Sequence, residues 1–300
     1  MPRELTPNTA PERIGLDECV ELLSERRFDP RDEDSLKGAA KLLARLGAND
    51  SFLGDLLVDR LADRAESSLP TSAYSPQSIM LSEARRGFFL RANIWPSEND
   101  SCLRRSGAHN FAYGAPHDHN FDFLTVGYFG PGYRSDYYEY DYTKVVGYPG
   151  EQIDLRFVER SALSKGRLLH YRAHRDVHSQ LPPESLSVSL NVMACDAAQG
   201  WHDQYAFDLE RRAVTRILNP SSTEVFLRMA VALGGEEAGE LAEHWGRYHP
   251  SDRIRLASFE ARSDTADLAR RETIWREAEA AGSLLVTQAA RKELAKLEPA

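Results

Sequence analysis

The hydrophobic period of this chain changes twice, and those two changes constrain its fold more than any other feature. In the first third, apolar residues recur at helical spacing. Leu16, Cys19, Val20 and Leu23 form one such face, with Asp17 placed to cap its start. A second helix is expected over residues 34–46, ending at Gly47, which suits the left-handed position after a helix. A third is expected over 52–65, with Leu53, Leu56, Leu57 and Leu61 on its buried side. Residues 67–77, rich in Ser and Pro, read as a connecting loop.

From about Arg86 the period becomes two. Phe88, Leu90, Ala92 and Ile94 alternate with Phe89, Arg91 and Asn93, as in a half-buried strand. Further strands are expected over 121–126, 137–142, 152–159, 167–172 and 186–193, with one more within 201–209. Turns such as Phe129-Gly-Pro-Gly132 and Tyr148-Pro-Gly150 separate them. After Asn219-Pro220 the helical period returns. Ser221 and Glu224 can form a capping box, and helices are expected over 225–233, 236–248, 251–261, 267–281 and 284–297. Pairs of short helices can stack as a helical-repeat appendage, but no fixed repeat period establishes one. The plan is α+β: a helical segment over 1–78, an antiparallel β segment over 79–218 that suits a sandwich or barrel, and a helical segment over 219–300.

An apolar content of 42% is enough for a real core, and a charged fraction of 28% is unlike that of a disordered chain. The net charge of −9, with no basic arm, argues against a nucleic-acid partner, because neutralising phosphates needs excess Lys and Arg. No apolar run reaches the about 18–20 residues that span a bilayer, so no membrane association is expected. The polar start of the chain lacks the order of a secretion signal. Cys19, Cys102 and Cys195 are odd in number and widely spaced, forming neither a zinc pattern nor a disulfide framework. A cytoplasmic location follows as the expectation.

Seven of the nine histidines fall in or beside the β segment. One stretch reads Gly114-Ala-Pro-His-Asp-His-Asn-Phe-Asp-Phe-Leu-Thr-Val126. In a strand, residues i and i+2 share a face, so His117 and His119 can aim two imidazoles at one point, with Phe121, Phe123 and Thr125 continuing that face. Imidazole suits iron, zinc, copper and nickel. A second stretch reads Gly166-Arg-Leu-Leu-His-Tyr-Arg-Ala-His-Arg-Asp-Val-His178, followed by the strand from Leu186 to Val192.

The Pro-His117-x-His119 stretch resembles the first motif of the cupins. The glycine turn, strand, loop and His178 resemble the second. The resemblance covers residues 86–208, under half the chain, and its motifs are short and degenerate. It implies a cupin-like double-stranded β-barrel whose metal is held by His117, His119 and His178. The chain departs from the cupin pattern twice. Ala173-His-Arg-Asp replaces the usual Pro-x-Gly turn, which makes His174 a rival to His178; the strand that follows favours His178. The glutamate that cupins carry four or five residues after the second histidine is replaced by Phe123 and Leu124. Asp122 has the wrong strand parity, and Glu139 can reach the metal only from across the sheet. Three histidines without a carboxylate look like the cysteine dioxygenase branch, which implies Fe(II) with positions open to substrate and dioxygen. The arrangement of two histidines and a carboxylate is not matched, since position 119 is His.

The segment Tyr128 to Tyr142 is dense in tyrosine, and Tyr138 is its candidate for steering substrate. Arg91, Arg134 and Arg172 can clamp a substrate carboxylate through a bidentate guanidinium. Arg91 stands out because it shares a strand face with Asn93 opposite an apolar face. The leading expectation is an iron-dependent oxygenase using dioxygen on a small polar or amino-acid-derived substrate. The alternatives are a non-catalytic cupin sensor or scaffold, and a metal-dependent isomerase or hydrolase. The helical flanks suit a homodimer contact or a protein or peptide partner.

Overall fold

The computed structural model describes residues 2–8, 11–62, 77–219 and 221–297. The loop expected over 67–77 lies outside them apart from Gln77, as does the end of the third helix at 63–65. The chain begins with β1 (Arg3–Glu4), α1 (Leu16–Arg26), α2 (Glu33–Gly47) and α3 (Phe52–Ala62). The β-rich stretch follows: β2 (Ser78–Met80), β3 (Phe88–Trp95), α4 (Ser101–Ser106), β4 (Phe123–Phe129), β5 (Arg134–Glu139), β6 (Arg156–Ala162), β7 (Leu168–Tyr171), β8 (Asp176–Leu181), β9 (Ser187–Ala194), β10 (Tyr205–Asp208) and β11 (Ala213–Ile217). Then come α5 (Ser222–Leu233), α6 (Glu236–Tyr248), α7 (Asp252–Asp264), α8 (Leu268–Glu279) and α9 (Leu284–Leu297). Helix and antiparallel sheet are thus both present. No helix among the described residues is long and apolar enough to cross a membrane.

The chain forms two compact units. One comprises residues 1–143, 152–199 and 204–213, the other 144–151, 200–203 and 214–300. The N-terminal helices and most of the strands therefore share a unit. Their reason for doing so is a common core, in which Leu36, Leu43 and Leu46 of α2 pack with Leu90 of β3, Leu124 of β4 and Val192 of β9. Full burial of a leucine contributes about 1.5–3 kcal/mol, so this apolar interface fixes the helices firmly to the sheet.

Nine of the strands form two antiparallel sheets. The larger has the order β1-β7-β4-β9-β3-β2 and the smaller β6-β5-β8. One face of the larger sheet meets the helices. Its other face shares a second core with the smaller sheet, built from Trp95, Phe123, Tyr171 and Met193 on one side and Tyr137 on the other. Strand β3 shows the expected alternation, with Phe88, Leu90 and Ala92 toward the helices.

Local details correct several sequence expectations. Gly15, not Asp17, is the N-cap of α1, and Asp17 sits in its first turn. Asp32 caps α2 by accepting from the Ser35 N–H at 3.2 Å. Gly47 is the last helical residue of α2 rather than a left-handed cap. Its value is closeness, since a Cβ there would stand 3.0 Å from the Val126 side chain. Leu61 is 47% exposed instead of buried. Gly132 has φ +84°, and a Cβ on it would lie 1.9 Å from the Leu163 carbonyl oxygen. Only glycine fits that turn.

In the second unit the capping box of Ser221 and Glu224 is present at the start of α5. Phe259 of α7, Trp275 of α8 and Val286 of α9 centre its apolar core.

Candidate metal centre

The three histidines arrive from two distant segments. Neither His117 nor His119 lies within a regular strand, as the spacing had suggested; both precede β4 in extended chain. His178 lies in the middle of β8, a strand of its own, rather than at the opening of β9. His117 and His178 are nonetheless locked together by reciprocal backbone hydrogen bonds, each N–H donating to the other's carbonyl at 3.0 Å. The residue between the two first-segment histidines is anchored as well. The buried Asp118 carboxylate accepts from the Tyr205 N–H at 2.6 Å and from the Tyr140 hydroxyl.

The result is a convergence of imidazole nitrogens. Nε2 of His178 lies 3.1 Å from Nε2 of His119 and 3.2 Å from Nε2 of His117. Among the described residues these three form the one cluster of metal-ligating side chains, with ligand atoms within 4.8 Å of one another. Burial lowers the pKa of His117, and Arg91 adds to the effect. His119 is held well below the usual histidine range by burial, then by His117, His178 and Arg91. His178 is held there by burial, then by His117 and Arg91. Neutral imidazole is the form that ligates metals.

The residues present fit a divalent metal. At His117, Nδ1 lies 2.7 Å from the Ala115 carbonyl, so Nδ1 carries the proton and Nε2 is left bare. Three imidazole nitrogens converging on one point can turn their lone pairs on a single cation. Three histidines suit iron, zinc, copper or nickel.

The smaller strand pairs place the surroundings. Tyr171 and Phe123 stack at 4.4 Å, and Phe123 meets the His119 ring edge-on at 4.9 Å. One residue pair along β4, a polar row crosses the same face: Thr125 pairs with Asn191, which pairs with Arg91. Thr125 and Asn191 are buried. Arg91 thus stands on the inner face, and its charge acts on all three imidazoles.

The other sequence candidates lie elsewhere. Tyr138 faces away from the cluster and packs edge-on against Phe157 at 5.3 Å, a residue that is 52% exposed. Its neighbour Tyr137 takes the inner position, paired with His178 and sharing a 3.0 Å hydrogen bond with the Tyr171 hydroxyl. Glu139 is outside the cluster. Its carboxylate is engaged by Arg172 at 2.9 Å, Arg156 at 3.0 Å and Arg175 at 3.4 Å. Burial would raise the Glu139 pKa, but hydrogen bonds and positive charges around it, Arg172 and Arg175 among them, outweigh that and hold it below the usual range. His174 is also outside the cluster. Its ring lies 4.2 Å from Tyr142, and its backbone N–H, at a left-handed φ of 58°, donates to the His119 carbonyl at 2.8 Å. Arg134 is exposed, and Arg172 is bound to Asp176 at 2.6 Å. Sequence reading placed Thr125 on the histidine face but missed Tyr137, Tyr171 and Gln180, which the strand pairing brings to light.

No protein-family model matches the chain, and no curated protein does. Solved structures that match include a DMSP lyase (13% identity, 42% of this chain and 50% of that one, TM-score 0.25). A putative mannose-6-phosphate isomerase from Ralstonia eutropha also matches (14% identity, 44% and 98%, TM-score 0.22). A third is hydroquinone 1,2-dioxygenase from Sphingomonas (8% identity, 43% and 71%, TM-score 0.25). The chain spans half the length of the DMSP lyase chain it matches. Likeness this distant identifies neither a substrate nor a reaction, and the site's own residues carry the functional reading.

Proposed function

We propose that this protein is a cupin-type metalloenzyme, an oxygenase that holds Fe(II) with His117, His119 and His178. The observation that carries this reading is the meeting of three imidazole Nε2 atoms, with no carboxylate in their cluster among the described residues. The two facing antiparallel sheets fit a double-stranded barrel with the site between them. Bound there, a ferrous ion supplies Lewis acidity and one-electron chemistry toward dioxygen, with coordination positions left for substrate.

The chain's own groups define the rest. Arg91 presents a permanent positive charge on the inner face and binds the carboxylate of a small polar or amino-acid-derived substrate. Thr125 and Asn191 offer hydrogen bonds in the same row. Phe123 and Tyr171 form an apolar wall beside His119 and exclude water from that side. Free cysteines, with Cys102 and Cys195 exposed, suit a reducing cytoplasm.

The test is metal analysis of protein purified without chelator, followed by an oxygen-uptake screen of small carboxylic and amino acids. About one iron per chain, lost in His119→Ala, and substrate-dependent oxygen uptake are expected. Iron at full occupancy in His119→Ala would overturn the site. Turnover without oxygen uptake would redirect the reading to an isomerase or hydrolase.

A further inference from the structure

Gln180 lies two residues beyond His178 on β8 and is 4% exposed. Its backbone is held on two sides: it pairs with Ser135 of β5, and its carbonyl accepts from the Gly114 N–H at 3.0 Å. Its carboxamide reaches back to the His178 ring. Nε2 lies 3.2 Å from Nδ1 and 3.1 Å from Nε2 of that imidazole. The other end of the carboxamide, Oε1, is buried with no hydrogen-bond partner among the described residues.

An imidazole that gives its Nε2 lone pair to a cation carries its proton on Nδ1, and that N–H needs an acceptor. His117 has one in the Ala115 carbonyl. For His178 the side chain within reach is Gln180. A carboxamide offers a donor end and an acceptor end of nearly equal size. A half turn exchanges them without repacking, and it brings an oxygen that now has no partner to a ring N–H that needs one. Once Nε2 of His178 is taken by a cation, Nδ1 is the nitrogen left for Gln180 to address.

We propose that Gln180 is the positioning residue of His178: its amide oxygen accepts the Nδ1 proton and fixes the tautomer whose Nε2 faces His117 and His119. This rests on the reading that the trio holds a metal.

The experiment measures Zn²⁺ and Co²⁺ affinity of the full chain by competition with a chromophoric chelator, for wild type, Gln180→Leu, Gln180→Glu and His119→Ala. It is joined by ¹⁵N NMR of the histidine side chains in wild-type protein with zinc. Gln180→Leu, which keeps bulk but has no acceptor, is expected to bind about 10–100-fold more weakly. Gln180→Glu, which keeps an acceptor, is expected to bind at least as tightly as wild type. The His178 signal of the zinc-loaded wild type is expected to show the proton on Nδ1. Unchanged affinity in Gln180→Leu, or equal loss in Leu and Glu variants, would overturn the proposal, as would a zinc-loaded His178 protonated on Nε2. The NMR result stands even if a variant fails to fold. Wild-type affinity in His119→Ala would instead overturn the metal site itself. Loss there with no change in Gln180→Leu would sink the role of Gln180 alone.

Discussion

His117 and His178 are 61 residues apart in sequence, yet each donates its backbone N–H to the other's carbonyl at 3.0 Å. Their side chains therefore start from a fixed frame, and only χ rotations remain to bring the two Nε2 atoms together. Metal affinity should depend on the three converging imidazoles and not on the nearby ring of His174. His178→Ala is expected to lose metal, whereas His174→Ala, whose ring packs on Tyr142, keeps it. Metal content by plasma mass spectrometry checks this; the reverse pattern would move the third ligand to position 174.

Glu139→Gln separates a structural carboxylate from a ligand. Three arginines engage Glu139. Iron content should be unchanged, and unfolding free energy should fall by about 1 kcal/mol, the scale of a partly exposed ion-pair network. Because the Glu139 pKa is depressed in the fold, its stabilisation is present above the ordinary carboxylate pKa and is lost as pH falls through the folded value. Urea melts between about pH 3 and 7 should therefore show a shallower acid loss in the variant. A large drop in iron affinity with an intact fold would make Glu139 a ligand after all.

Arg91→Gln tests substrate charge. Hydrogen bonds to charged groups contribute about 1.5–3 kcal/mol, so KM for a carboxylate substrate should rise roughly 10–100-fold, with iron content retained. An unchanged KM would remove Arg91 from the substrate site.

Two glycines with positive φ should respond differently to alanine. At Gly150, φ is +91° and nothing lies within 4 Å, so only backbone strain of about 1–2 kcal/mol is expected. At Gly132 the added Cβ also meets the Leu163 carbonyl, adding about 1–3 kcal/mol. Thermal melts that ranked Gly150→Ala as the worse variant would contradict the tight turn.

Much of this arrangement was legible in the sequence, and its gaps have physical causes. The alternation of Phe88 to Ile94 placed Arg91 and Asn93 on the face opposite the helices, because β3 packs helices on one side only. The strand holding His178 was not legible. Five of its six residues are buried, so no polar face alternates with an apolar one. Tyr138 was chosen over Tyr137 for a related reason. In a run of Tyr, Asp and Glu, parity leaves no hydrophobic trace, and a bulge between these two tyrosines shifts the register against β6. Glu139 could not be assigned from sequence, since its arginine partners lie 17 to 36 residues away.

Nothing short-range assembles the three imidazoles. His119 and His178 are 59 residues apart, and their nitrogens meet where the segment before β4 bridges to β8, itself paired with β5. An unfolded chain has no such site, so any ion captured there acts as a thermodynamic fastener that binds the folded state alone. At a free metal concentration one hundred times Kd, mass action adds about 2.7 kcal/mol to the folded state. The melting temperature of this protein would then serve as a gauge of the metal ions around it, and chelators would act on it as mild denaturants.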